Sequence, residues 1–370
     1  MHKVLHQITE AGTSIWLDDL SRERLIANGK SRNLELLINT ESILGVTTNP
    51  AIFSAAISQS DLYSRDISHL ATKGVDAEGI INELTTADVA QACDLFLPIY
   101  DKTLGVDGRV SIEVDPRLAR DTQGTIQQAL QLWNQINKAN VLIKVPATKE
   151  GIPAIRRLIA EGISVNVTII FSVARYKEVL EAFMLGLEDR LAKSLPVSNI
   201  HSVASFFVSR VDTDIDPKLK SHQDPLASSL LGKAALANAR LAYQHFESVL
   251  KSPRWKALSD KGAAIQRPLW ASTGVKDPAY DPTMYVLDLI APQTVNTMPE
   301  QTLIAVRDAG KFSGNTISNS YDEAGQIINQ LNSLGIDINA VADRLENEGI
   351  DKFIKPWLDL ISAVERASAK

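Results

Sequence analysis

Eight short apolar runs punctuate the chain, and the stretches between them repeat their apolar residues every three or four positions. The runs are SIWLDD (14–19), ILGVTTN (43–49), RVSIEVD (109–115), VLIKVP (141–146), SVNVTIIFS (164–172), VASFFVSR (203–210), RPLWAST (267–273) and PQTVNTM (292–298). Between the third and fourth, the segment 117–137 places Ile126, Leu130, Trp133 and Ile136 on one face of a helix. Strand and helix in alternation predict a parallel sheet, because parallel neighbours need a long crossover between them. Eight such units predict an α/β chain closed into a (β/α)8 TIM barrel with additional helices. An open doubly wound sheet is the alternative, although its central strands are covered on both faces and would hide polar side chains less readily. After 299 the pattern turns wholly helical, which predicts a last barrel helix and a C-terminal helical extension. The 370 residues carry no Gly/Ser linker and read as one domain over 1–370, with the barrel core at about 12–330 and the extension at about 335–370.

Composition narrows the partners. The net charge of −6, with basic residues scattered along the chain, argues against nucleic acid. A single cysteine, Cys93, excludes a disulfide framework, and no Cys/His spacing suits a zinc site, so no metal is expected and a reducing, cytoplasmic setting is. The N-terminus lacks an apolar signal core and no run approaches the ~18 apolar residues of a membrane span, so no membrane is expected. A small anionic molecule stays compatible with the charge, since local cations decide its binding.

The alternation within strands says more than their number. Val110, Ile112 and Val114 share one face of the third run, leaving Ser111 and Glu113 on the other; Val141, Ile143 and Val145 oppose Lys144; Val165, Val167 and Ile169 oppose Asn166 and Thr168. A barrel strand gives its outer face to the helices, so the polar sets point to the axis. Lys144, Glu113, Asn166 and Thr168 then converge near the C-terminal ends of the strands, with Lys144 moderately buried in a polar mouth. A lysine among apolar walls loses hydration of its charged form, and a neutral amine can attack a carbonyl to give a Schiff base. The competing reading is a structural ion pair with Glu113. Of the two carboxylates ending WLDD, one can serve proton transfer while the other caps the next helix, and spacing does not choose between Asp18 and Asp19. TTNP (47–50) reads as a turn that starts a helix, with side chains still able to face the mouth. Arg210 ends the sixth run, where it either pairs with Asp212 or meets an anion, and the strand-end position favours the anion. His201 and His245 read as structural or surface residues.

GVTTNPAIF (45–53) and VLIKVPATKEGIPAIRRL (141–158) resemble the two signature segments of transaldolases. SIWLDD, VSIEVD, SVNVTIIFS and SFFVSRVD resemble the family's strands one, three, five and six in order, so the resemblance spans about 12–300. It implies a class I enzyme of the pentose phosphate pathway without metal or cofactor. Such an enzyme moves a dihydroxyacetone unit from sedoheptulose 7-phosphate to glyceraldehyde 3-phosphate, giving erythrose 4-phosphate and fructose 6-phosphate. By the same resemblance Lys144 is the Schiff-base lysine, Glu113 and Thr168 hold a catalytic water, and Asp18, rather than Asp19, is the acid/base. Asn49 and Asn166 match residues that bond the ketose, with Thr47 beside Asn49, while Ser205, Arg210 and Ser272 match the distal phosphate site. Phe207 stands where the aldolase branch has tyrosine, which favours transfer over an aldolase that releases free dihydroxyacetone. A catalytically dead sugar-phosphate binder would have no use for Lys144, Glu113, Thr168 and Asp18 together. One departure concerns phosphate: the better-known branch has an arginine two positions beyond the serine matched to Ser272, where this chain has Gly274, and the next cation is Lys276. Segments 20–42 and 211–266 are longer than in compact members. Whether the chain is a monomer or a homodimer stays open.

Overall fold

The protein is described by a computed structural model covering residues 2–26 and 32–369. Positions 27–31, part of the long 20–42 segment, and the two terminal residues lie outside the described residues. All eight runs form strands: β1 (Thr13–Asp18), β2 (Ile43–Thr47), β3 (Arg109–Glu113), β4 (Val141–Pro146), β5 (Val165–Ile170), β6 (Ser202–Phe207), β7 (Arg267–Ala271) and β8 (Thr294–Met298). Each pairs in parallel with the next, and β8 returns to β1, so the sheet closes into a barrel with no free edge. Closure replaces the open doubly wound alternative.

Strands β2, β3 and β5 stop short of the predicted C-terminal ends because Asn49, Asp115 and Ser172 cap helices instead. Asn49 accepts from the Ile52 amide at 3.0 Å with Pro50 in the first helical position, which fixes the start of Pro50–Gln59. Asp19 does not cap. Ser21 takes that place by accepting from the Arg24 amide, while Asp19 pairs with the Arg24 guanidinium at 2.7 Å. The helix predicted over 117–137 begins later, as Thr122–Ile136, where Asp121 accepts from two backbone amides.

Val110, Ile112, Val141, Ile143, Val165 and Val167 are buried, as the outward set requires, and Ser111, Lys144, Asn166 and Thr168 are buried on the axial side. The alternation ends at Thr168. Ile169 adopts φ 55°, the β5–β6 register shifts between Val167 and Ile170, and a β-branched residue there carries backbone strain. This bulge lies under the C-terminal helix Ile338–Ser368, where a Cβ on Gly349 would sit 3.6 Å from both Ile169 and Phe171.

That helix crosses the C-terminal end of the barrel. It packs on Pro50–Gln59, Ala77–Lys102 and Ser209–Ser221 and buries Phe353, Leu360 and Val364. The helix that follows β8 directly is Glu300–Ala309, whereas Tyr321–Ser333 packs against Ala234–Leu250. The long 211–266 segment builds much of Ser209–Ser221, then Pro225–Ser229, Ala234–Leu250 and Pro253–Ser259. Among the described residues, no helix is long and apolar enough to cross a membrane.

Candidate active site

Strand register sets the site. Glu113 lies opposite Lys144, Lys144 opposite Asn166, Pro146 opposite Thr168, and Asp18 opposite Thr47, so the polar residues share adjacent levels of the barrel. Lys144 is 5% exposed, deeper than the moderate burial expected from sequence. Its Nζ donates to the Thr48 carbonyl at 2.7 Å and approaches Glu113 Oε2 at 3.4 Å. The carbonyl can accept from an amine in either protonation state, so the shorter contact holds the nitrogen without demanding a charge on it.

Burial raises the Glu113 carboxyl above the usual carboxylate range, and Lys144 only partly offsets this. Burial likewise raises Asp18, opposed by Lys144 and by the Thr47 hydroxyl, which donates to Asp18 Oδ1 at 2.7 Å. Glu113 Oε1 and Thr168 Oγ1 are buried and find no hydrogen-bond partner among the described residues. Buried polar atoms are rarely left so, and these two belong to the axial groups beside Lys144.

A cavity of about 190 Å³ opens at this level, lined by Asp18, Thr47, Asn49, Lys144, Thr168, Ser205, Phe207, Arg210, Ser272 and Lys276. Two predicted residues do not line it. Glu113 faces an adjoining cavity, and Asn166 lies wholly buried, donating to Ser111 Oγ at 3.1 Å and accepting from Ser205 Oγ at 2.7 Å. The Ser205 hydroxyl proton is thereby directed to Asn166. Asn49 spends its side-chain oxygen on the helix cap, which leaves its amide NH2 as the group it offers.

Arg210 belongs to the first turn of Ser209–Ser221 and not to the strand end. Its guanidinium lies 5.3 Å from the Phe207 ring centroid, and its Nη1 is buried with no partner among the described residues. Burial lowers its pKa, with Glu348, Asp18 and Glu113 opposing. It does not pair with Asp212, whose carboxyl accepts from the Ala235 amide at 2.8 Å and the Tyr285 hydroxyl at 2.7 Å. Ser272 adopts φ 55° and brings its Oγ to 3.1 Å from Ser209 Oγ, tying the loops after β6 and β7 together. Lys276 is exposed, yet its Nζ lies 3.8 Å from where a Gly274 Cβ would stand, so the side chain folds back over the glycine towards the mouth.

Sequence reasoning missed Thr297 and Phe353, which also line the cavity. Thr297 Oγ1 lies 2.6 Å from Thr47 Oγ1, a position that the polar alternation of β8 could have signalled. Phe353 reaches in from the C-terminal helix, and its spacing carried no such signal. His201 lies elsewhere, beside Arg109 and Gly105, with its pKa pushed down to about 3 by burial and by Arg109 and Arg267. His245 packs edge-on against Tyr176.

Fold and site together define a (β/α)8 barrel protein that gathers, near the C-terminal ends of its strands, an amine, two carboxyl groups and a guanidinium whose Nη1 has no partner among the described residues. The family described as Transaldolase/Fructose-6-phosphate aldolase matches residues 15–364, and this chain belongs to it. A Transaldolase of Renibacterium salmoninarum is 55% identical, covering 98% of this chain and 96% of its own. Transaldolase 2 of Streptomyces coelicolor is 52% identical over 99% and 97%, and a Transaldolase of Thermobifida fusca 49% identical over 100% and 99%.

Proposed function

We propose that this chain is a transaldolase, a transferase that carries a dihydroxyacetone unit between sugar phosphates as a Schiff base on Lys144. The donor is sedoheptulose 7-phosphate or fructose 6-phosphate, and the acceptor glyceraldehyde 3-phosphate or erythrose 4-phosphate. The observation that carries the reading is Lys144 Nζ fixed between Thr48 O and Glu113, with the unpartnered Glu113 Oε1 and Thr168 Oγ1 close by.

Lys144 adds to the ketose C2 carbonyl. Glu113, whose carboxyl burial shifts towards the protonated form, hands a proton to the departing C2 oxygen, and the Thr168 hydroxyl helps hold the water so formed. The iminium draws electrons as the C3–C4 bond breaks, while Asp18 takes the C4 hydroxyl proton. An enamine remains on Lys144 and attacks the acceptor aldehyde, with Asp18 returning its proton. Asn49, Thr47 and Asn166 hold the three-carbon unit directly or through neighbours. Arg210, Ser272 and Lys276 receive the distal phosphate, for which the unpartnered Arg210 Nη1 is a ready donor. Sugar phosphates of these chain lengths fit a role in the pentose phosphate pathway, and the lone, buried Cys93 fits a reducing, cytoplasmic setting.

Borohydride reduction in the presence of fructose 6-phosphate tests this. The expected product is a stable adduct on the peptide containing Lys144; reduction onto another lysine, or no adduct, refutes the assignment.

A further inference from the structure

Glu113 stands between two cavities. Lys144 lines the mouth, whereas Glu113 lines a second cavity of about 230 Å³ between β3, the helices Ala77–Lys102 and Thr122–Ile136, and the C-terminal helix. Asn49 borders both. The Glu113 side chain is 4% exposed, and the same side cavity is lined by Asn82, Gln128 and Gln131, the last of which is exposed at the surface. Its inner end therefore meets the acid of the site and its outer end meets solvent.

A packing defect of this size would be apolar and dry. This one carries Asn82, Gln128 and Gln131 among apolar neighbours such as Phe53 and Leu132, and two buried polar atoms of its lining residues, Glu113 Oε1 and Trp357 Nε1, find no partner among the described residues. At about 30 Å³ of liquid volume per molecule the space admits several waters. The mouth cavity, at about 190 Å³, is the smaller of the two, so a six- or seven-carbon sugar phosphate joined to Lys144 would take up most of it.

We infer that the side cavity is a water conduit, through which the water released when the Schiff base forms leaves from Glu113 to solvent while the sugar blocks the mouth. The inference rests on the Lys144 reading. In the step concerned, the neutral carbinolamine holds its C2 hydroxyl near Glu113. The nitrogen lone pair forms the C=N bond, the C2–O bond breaks, and the oxygen departs as water with the Glu113 proton, leaving a carboxylate. Hydrolysis reverses each transfer, so one water passes out and one passes in per catalytic cycle.

The test uses fructose 6-phosphate labelled with oxygen-18 at C2, incubated with the full-length enzyme and no acceptor, and corrected for exchange without enzyme. Loss of label from recovered substrate is divided by the number of iminium events, counted by rapid quench into borohydride. For the natural chain, nearly every event loses label. Asn82→Phe adds bulk to the conduit wall and Gln131→Trp covers its exposed rim. Each is expected to lower label loss per event at least threefold, because the trapped water returns to the same carbon, while the equilibrium amount of adduct stays unchanged. Label loss per event equal to that of the natural chain in both variants overturns the conduit and leaves the Lys144 reading standing. Absence of any adduct in the natural chain overturns the Lys144 reading and the conduit with it. Having two variants guards against misfolding in one, and circular dichroism with a melting curve identifies it.

Discussion

Thr47 donates its hydroxyl proton to Asp18 across the β1–β2 pair at 2.7 Å, and the two residues are register partners in the sheet. Because that proton is committed, the 2.6 Å contact with Thr297 makes Thr297 the donor to Thr47, and the three residues form one directed chain ending on the carboxyl. The chain favours the charged form of Asp18, whereas burial favours the neutral form.

The first prediction follows from that opposition. Thr47→Val removes a hydrogen bond to the charged form only, so the Asp18 pKa rises further above the usual carboxylate range. Cleavage needs Asp18 as a base, so the acid limb of the kcat profile for dihydroxyacetone transfer moves to higher pH. Near neutral pH the expected loss is about ten- to a hundredfold, from ~1.5–3 kcal/mol for a hydrogen bond to a charged group. A variant whose acid limb does not move removes Asp18 from the base role.

Lys144 and Glu113 form a buried pair, and taking away one member leaves the other without compensation. Lys144→Met is expected to cost ~3–5 kcal/mol of stability at neutral pH, and Lys144→Met with Glu113→Gln distinctly less. The pH dependence has a definite sign. Lys144 holds the Glu113 value down against burial, so its loss raises that value further above the unfolded one. A carboxyl of this kind contributes stability that is present below its unfolded pKa and lost as pH rises through its folded pKa. Lys144→Met therefore loses least near pH 4 and most above neutrality, as urea denaturation at several pH values will show.

What sequence could and could not disclose divides along physical lines. The eight strands and the axial position of Lys144, Glu113, Asn166 and Thr168 were legible because a period of two forces each residue to one face. The strand ends were not, since Asn49 and Ser172 satisfy helix termini with side chains whose choice depends on how the chain turns. Asp19 and Ser21 illustrate this: both suit a cap, and only the path of the loop leaves Asp19 to Arg24. The link from Ser205 to Asn166 joins two strands whose register sequence does not supply. Phe353 was beyond reach, because a residue almost two hundred positions past Thr168 enters the site only through the packing of a distant helix.

Asp212 gives a third prediction, away from the chemistry. Its carboxyl is raised by burial from the ordinary aspartate value of 3.8 to about 7, although the Ala235 amide and the Tyr285 hydroxyl donate to it. With the folded value above the unfolded one, its contribution is full below about pH 4 and lost as pH rises to about 7, by up to ~4 kcal/mol at 1.4 kcal/mol per pKa unit. Asn keeps the acceptor for the Ala235 amide and can donate to the Tyr285 oxygen without a charge. Asp212→Asn is expected to raise the melting temperature by several degrees at pH 8 and to change it little at pH 4. Equal shifts at both values argue against a titrating carboxyl at this position.

The C-terminal helix supplies the last prediction. Phe353, 7% exposed, reaches from that helix into the mouth cavity and is, among the described residues, the one residue of the extension that lines it. An enamine on Lys144 must meet an aldehyde before a proton from water, so an apolar wall over the mouth favours transfer over simple cleavage. Phe353→Leu thins that wall and Phe353→Ala removes it, at ~3–5 kcal/mol of stability for the larger truncation. Release of free dihydroxyacetone from fructose 6-phosphate without acceptor is expected to rise in the order Phe, Leu, Ala, by several-fold at the end of the series, while adduct formation on Lys144 persists. The ratio of released to transferred three-carbon units, measured with and without glyceraldehyde 3-phosphate, separates a leaky mouth from a general loss of activity, since destabilisation alone lowers both routes together. A ratio that stays constant through the series shows that the helix does not govern water access to the enamine.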